Sequence, residues 1–160
     1  MADYLWANRP RLAGTSIVEL GAGIGLPGMC YRRTRLVISC DVFVCAAGIV
    51  AAIAGAKVTL TDVNEPHILD NLRINCAANN VTDSCSVVGL PWGCPTPQAA
   101  RLRASGVDII IAADCLYESS CFAPFFATAA YLLSGRRGSE LLTAFQVGTW
   151  NLSVVKSPHA

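Results

Sequence analysis

The sequence predicts an α/β domain built on a doubly wound, mostly parallel sheet. Strand-length apolar runs alternate with stretches of helical period. A glycine cluster follows directly on the first run, and a β-branched run ends in an aspartate.

The elements follow in chain order. "TSIVEL" (15–20) is a strand ending in the glycines, and "AKVTLTD" (56–62) is β-branched and ends in Asp62. "EPHILDNLRINCAANN" (65–80) sets Ile68, Leu69, Leu72 and Cys76 on one helical stripe, with Pro66 near its start. "SCSVVGL" (84–90) is a strand, and the Pro/Gly-rich "PWGCPTP" after it is a loop. "VDIIIAAD" (107–114) is apolar throughout, as a strand covered on both faces requires. "CFAPFFATAAYLLSG" (121–135) reads as a helix and "SELLTAFQV" (139–147) as a fifth strand. The order expected is 3-2-1-4-5, with residues 148–160 a tail without clear pattern.

Composition narrows the class. The 160 residues make one domain, 53% hydrophobic and only 14% charged. A net charge of +1 leaves no electrostatic footprint for nucleic acid. Of eight cysteines, Cys76, Cys85, Cys94, Cys115 and Cys121 lie in or beside apolar segments without C-x-x-C pairs, so free thiols in a reducing compartment are expected. Two histidines, His67 and His159, are too few and too scattered for a metal site. The N-terminus lacks a basic start followed by an apolar core, which points to the cytoplasm or nucleus.

In "VELGAGIGLPG", Gly21, Gly23, Gly25 and Gly28 come immediately after a strand. Glycines there let the backbone turn sharply and approach a ligand closely, with helix N–H groups facing it. "GIGLPG" alone also fits the dinucleotide pattern, and a nicotinamide oxidoreductase is the rival enzyme. Glu19, two residues before the first glycine, completes E-x-G-x-G-x-G, the first motif of S-adenosylmethionine-dependent methyltransferases. Asp62 closes the next strand, where a carboxylate accepts both hydroxyls of a ribose.

The spacing is anomalous. A ribose-binding acid follows the glycine turn by about 20 residues, yet Asp62 lies 37 residues after Gly25. The excess matches a segment at 29–48. Without it the text reads "GLPGIVAAIAGAKVTLTD": one short helix, a stop at Gly55, then the strand. Gly28-Met29-Cys30 can be encoded with a splice-donor-like GTATGT, and Ala47-Gly48 with an acceptor-like GCAGG. The segment therefore reads as an unspliced insert.

With the insert set aside, residues 3–147 resemble the seven-strand methyltransferases of the small protein-methylating branch called family 16. "YLWANRPRLAG", "VELGAGIGLPG", "IVAAIAGAKVTLTD", "LDNLRINCAANNV", "VVGLPWG" and "DIIIAADCLYE" occur in the family's order. The resemblance implies S-adenosyl-L-methionine as cofactor, held by Glu19, Gly21, Ala22, Gly23 and Gly25. It puts Asp62 on the ribose, Trp92 beside the adenine and Ala113 lining the pocket. It places the D-x-x-Y motif, Asp114 to Tyr117, at the mouth beside the substrate.

Asp114, Tyr117 and Glu118 are the candidates for orienting an arginine or taking a lysine's proton. Each has a plainer reading: Trp92 packs in the core, and Asp114 caps a helix opening at Tyr117 and Glu118. The implied partner is a protein substrate, a histone or other nuclear protein, with no direct contact to nucleic acid. Similarity fades after "AFQV", so the family's last two strands are expected to be absent and the fifth strand to carry a bare edge.

Two other functions fit parts of the sequence. One is a non-catalytic binding form of the same domain. The other is a single membrane span through 36–56, preceded by "YRRTR". Asp41 inside that run costs about 2.5–3.5 kcal/mol if central, and the run's end aligns with a soluble helix.

Overall fold

The computed structural model describes residues 1–23, 47–116, 118–147 and 151–156. One six-stranded sheet runs through them in the order β3-β2-β1-β4-β5-β6. Its strands are β1 (Ser16–Leu20), β2 (Lys57–Asp62), β3 (Cys85–Gly89), β4 (Ile109–Ala113), β5 (Glu140–Val147) and β6 (Asn151–Lys156). The first five are mutually parallel, as expected.

The parallel strands are buried on both faces, and successive residues serve opposite layers. Ile17, Ile109, Ile111 and Leu142 join α1 (Ala2–Ala7), α2 (Ala47–Ile53) and α3 (Pro66–Ala78) in one core. Val18, Ile110, Ala112 and Leu141 join α4 (Pro97–Ser105) and α5 (Ser119–Leu133) in the other. The connection changes face between β1 and β4. The carboxyl ends of these two strands therefore border the crevice where open α/β sheets bind ligands.

Three elements depart from expectation. β6 pairs antiparallel with β5 along 142–147, so the bare edge foreseen for the fifth strand is covered by the tail. The free N–H and C=O row of β5 recruits this partner, and such pairing needs little side-chain pattern. α4 was hidden behind the Pro/Gly loop. Thr96 caps it, accepting from the N–H of Ala99 at 3.1 Å, and Pro97 opens it. α1 likewise has too few residues to show a period.

α2 ends as foreseen: Gly55, at φ +92, turns the chain toward β2. The rest of the 29–48 segment before Ala47, and most of 36–56, lie outside the described residues. Ala47 to Ala52 are buried against the sheet. Among the described residues no helix is long and apolar enough to cross a membrane. Cys76, Cys85, Cys94, Cys115 and Cys121 carry free thiols, but only Cys76 and Cys115 are fully buried; Cys94 is exposed.

Candidate active site at the carboxyl ends of β1, β2 and β4

β1 delivers Gly21, Ala22 and Gly23 to the edge of the sheet, and β2 delivers Asp62 beside them. Gly21 and Gly23 have φ of +66° and +60°, left-handed backbone that side chains resist. The N–H of Gly23 donates to Asp62 Oδ2 at 2.7 Å, and that of Val63 to Asp62 Oδ1 at 2.7 Å. Ala22 donates its N–H to the carbonyl of Thr61 at 2.9 Å, fastening the bend to β2 a second time. A carboxylate has about four acceptor sites, so Asp62 keeps one on each oxygen for a diol. Asp62 is half-buried. Glycine bend and acid are thus in direct contact despite their separation in sequence.

Glu19 departs from its expected role. Its carboxylate is buried, 2% exposed, and faces the start of α2, where it accepts from the N–H of Ala47 at 3.0 Å and of Gly48 at 2.9 Å. Each oxygen takes one of these N–H groups, and so deeply buried a carboxylate presents almost no surface to a ligand, so Glu19 positions the helix start. Burial pushes its pKa up to about 7. The two N–H groups pull the other way, and the nearby charge of Asp62 adds to the rise. Gly48 is there because nothing larger fits: a Cβ would lie 2.5 Å from Leu60 Cδ2 and 2.8 Å from Glu19 Oε2.

Trp92, after β3, stands edge-on to Phe125 of α5 with centroids 5.2 Å apart. Its ring also reaches the bend, 3.0 Å from where a Cβ on Gly21 would sit. The plainer reading of Trp92 thus holds, since it packs on the second core, and the same ring lies against the bend. The loop carrying it is fixed by Thr128, whose Oγ1 accepts from the N–H of Gly93 at 2.8 Å and donates to the carbonyl of Pro124 at 3.0 Å.

Ala113, half-buried, closes β4. Asp114 follows at φ +53, exposed, its N–H donating to the carbonyl of Ala144 at 2.8 Å. This left-handed backbone is rare for a residue other than glycine and gathers at functional sites. Asp114 does not cap α5: the cap position is Glu118, and no side-chain bond is made there. Glu118 is exposed, its Oε2 accepting from Ser120 Oγ at 3.4 Å. Tyr117 and Gly25 lie outside the described residues.

Two contributors were missed in sequence. Cys115 is buried, and its thiol donates to the carbonyls of Leu20 at 3.1 Å and Ala113 at 3.3 Å, clamping the ends of β1 and β4 together. Burial pushes its pKa up to about 12, so it stays a donor. Thr61 donates to the carbonyl of Glu19 at 2.7 Å. A hydroxyl inside an apolar strand beside the acid was the available signal, since such a group needs a partner when buried.

The described residues suit a nucleoside carrying a positive sulfonium. Asp62 has acceptors to spare for ribose hydroxyls, the bend presents backbone where a Cβ would collide, and Trp92 offers an aromatic wall.

A family model described as lysine methyltransferase matches residues 3–147. The chain is similar to "Histone-arginine methyltransferase METTL23" of Homo sapiens, 34% identical over 158 residues, covering 97% of this chain and 71% of that protein. It is also 34% identical to the protein of the same name from Xenopus laevis, covering 96% of this chain and 56% of the frog protein, so it spans little more than half of that relative's length. The fold matches the solved O-methyltransferase of Bacillus cereus in complex with SAH. The TM-score is 0.57 at 16% identity, covering 89% of this chain and 55% of that one. Matched by that family model over residues 3–147, the chain belongs to the lysine methyltransferase family.

Proposed function

We propose that this chain is an S-adenosyl-L-methionine-dependent methyltransferase acting on a lysine or arginine side chain of a protein. The observation that carries the reading is the clasp between the Gly23 N–H and Asp62 at the carboxyl ends of adjacent parallel strands. Bound S-adenosylmethionine supplies an activated methyl group on sulfur, so the chain's own task is to align a nitrogen lone pair with it and exclude water. Asp62 accepts from the ribose hydroxyls, the Gly21–Gly23 backbone lies against the nucleoside, and Trp92 and Ala113 flank the base. Glu19 acts at one remove, by holding the start of α2. Tyr117 is the third candidate that the resemblance implies at the mouth; Asp114 and Glu118, both exposed, face the substrate there. Their carboxylates orient a guanidinium through paired N–H groups or take the proton a lysine ammonium must lose before transfer.

A histone arginine is the first substrate to test, because the frog and human relatives carry that activity in their names. Free thiols at Cys76 and Cys115 suit the cytoplasm and nucleus.

Calorimetry with S-adenosylhomocysteine and with NAD, followed by transfer of labelled methyl to core histones, tests the reading. Binding of the first ligand alone, with label on histone arginine or on lysine of another protein, is the expected result. Binding of NAD alone overturns it in favour of hydride chemistry. Nucleoside binding without transfer to any protein overturns the enzyme in favour of the binding form.

A further inference from the structure

We propose that the outer face of α5 is a two-fold interface on which a second copy of this chain docks, its α5 antiparallel to the first. From Phe122 to Tyr131 every exposed position of this helix is apolar: Phe122, Ala123, Phe126, Ala127, Ala130 and Tyr131. Phe122, Phe126 and Tyr131 are 40%, 47% and 43% exposed. The opposite side already packs on the sheet through Phe125, Ala129 and Leu132. A helix apolar all round is normally covered all round.

Charge selects the occupant. The amino end of this face carries the exposed carboxylate of Glu118. The carboxyl end carries Arg103 of α4, whose Nε donates to Ser134 Oγ at 2.9 Å while its guanidinium lies 5.3 Å from the centre of the Tyr131 ring. Arg136 and Arg137 follow in the turn after the helix, both exposed, with Arg136 paired to Asp108 at 2.9 Å and Arg103 and Arg137 left to carry the positive charge of this end. A uniformly basic partner would meet like charge at this second end, and an acidic one at the first. A two-fold axis satisfies both, because it lays the acidic end of one helix on the basic end of the other.

The pattern also maps onto itself. With the axis between Phe126 and Ala127, Phe122 opposes Tyr131, Ala123 opposes Ala130, and Phe126 opposes Ala127. Large residues thus meet small ones at the centre and aromatics meet at the flanks. Glu118 then faces the turn at Gly135, where Arg103 is held. The interface shares Glu118 with the mouth of the candidate site and otherwise does not depend on which reaction the chain performs.

Sedimentation velocity on the whole chain tests it, over a series of about 1 to 100 µM. The expected result is a concentration-dependent dimer. Phe126→Glu holds the chain monomeric throughout, and Ala127→Arg does the same should Phe126→Glu fail to fold by circular dichroism. Glu118→Arg and Arg103→Glu each weaken the dimer by about tenfold, and the two changes together restore it. A folded wild-type chain that stays monomeric overturns the proposal. A monomer whose transfer to protein is slowed by Phe126→Glu assigns the face to the substrate instead. A dimer indifferent to Phe126→Glu and Ala127→Arg lies on another surface, and single charge changes without rescue in the pair refute the antiparallel arrangement.

Discussion

The backbone N–H of Gly23 donates to Asp62 Oδ2 at 2.7 Å, joining residues 39 apart in sequence. The bond fixes the carboxylate at the rim and leaves each oxygen a free acceptor. If Asp62 holds the ribose as proposed, Asp62→Ala removes two charge-assisted bonds, each contributing roughly 1.5–3 kcal/mol. S-adenosylhomocysteine binding should weaken by at least about tenfold in calorimetry. Unchanged affinity would refute the ribose assignment.

Glu19 makes stability depend on pH in an unusual direction. Its pKa is raised to about 7 in the folded chain from an ordinary 4.5, so the native state holds a proton that the unfolded state has released. Below pH 4.5 the group is protonated in both states; between 4.5 and about 7 the unfolded chain ionises freely while the folded chain keeps its proton, so stability falls with rising pH and levels off above 7. The loss is on the order of 3 kcal/mol across that window. Urea unfolding from pH 5 to 8 should show the decline, and Glu19→Gln should flatten it. A parallel decline in the variant would assign the effect to another group.

Gly21 answers to two constraints at once. Its φ of +66° disfavours any side chain, and a Cβ would lie 2.8 Å from Cys115 Sγ. Gly21→Ala should destabilise by roughly 1–3 kcal/mol in urea titration. Adding Cys115→Ala relieves the collision but not the backbone strain, so the double variant recovers only part of the loss. Full recovery would show the backbone term to be negligible.

The segment at 29–48 touches the site at its described end. Gly48 precedes Ile49 and gives its N–H to Glu19 at 2.9 Å, in a space that excludes a Cβ. Deleting 29–48 puts Gly28 in that place, so Glu19 keeps a backbone donor, while Pro27, which has no N–H, replaces Ala47. Fewer residues between Gly23 and Ile49 cost less entropy to close. The shortened chain should melt higher, by about 4 °C for each 1 kcal/mol gained, and Gly28→Ala within it should erase the gain. A shortened chain that fails to fold would make the segment structural.

The sequence by itself determined the parallel sheet and its order, because those strands are buried on both faces and announce themselves as continuous apolar runs such as "IIIAA". It also determined the glycine bend and Asp62, whose chemistry follows from residue type and from position at strand ends. α4 and β6 were not legible: one is short and polar, and the other is chosen by the free edge of β5 and not by its own residues. Only the tertiary structure decided that Glu19 turns inward. A carboxylate goes where unsatisfied N–H groups await it, and those belong to Ala47 and Gly48, which nothing local links to it. The same holds for Cys115, whose thiol clamps two strands that are neighbours in space and distant along the chain.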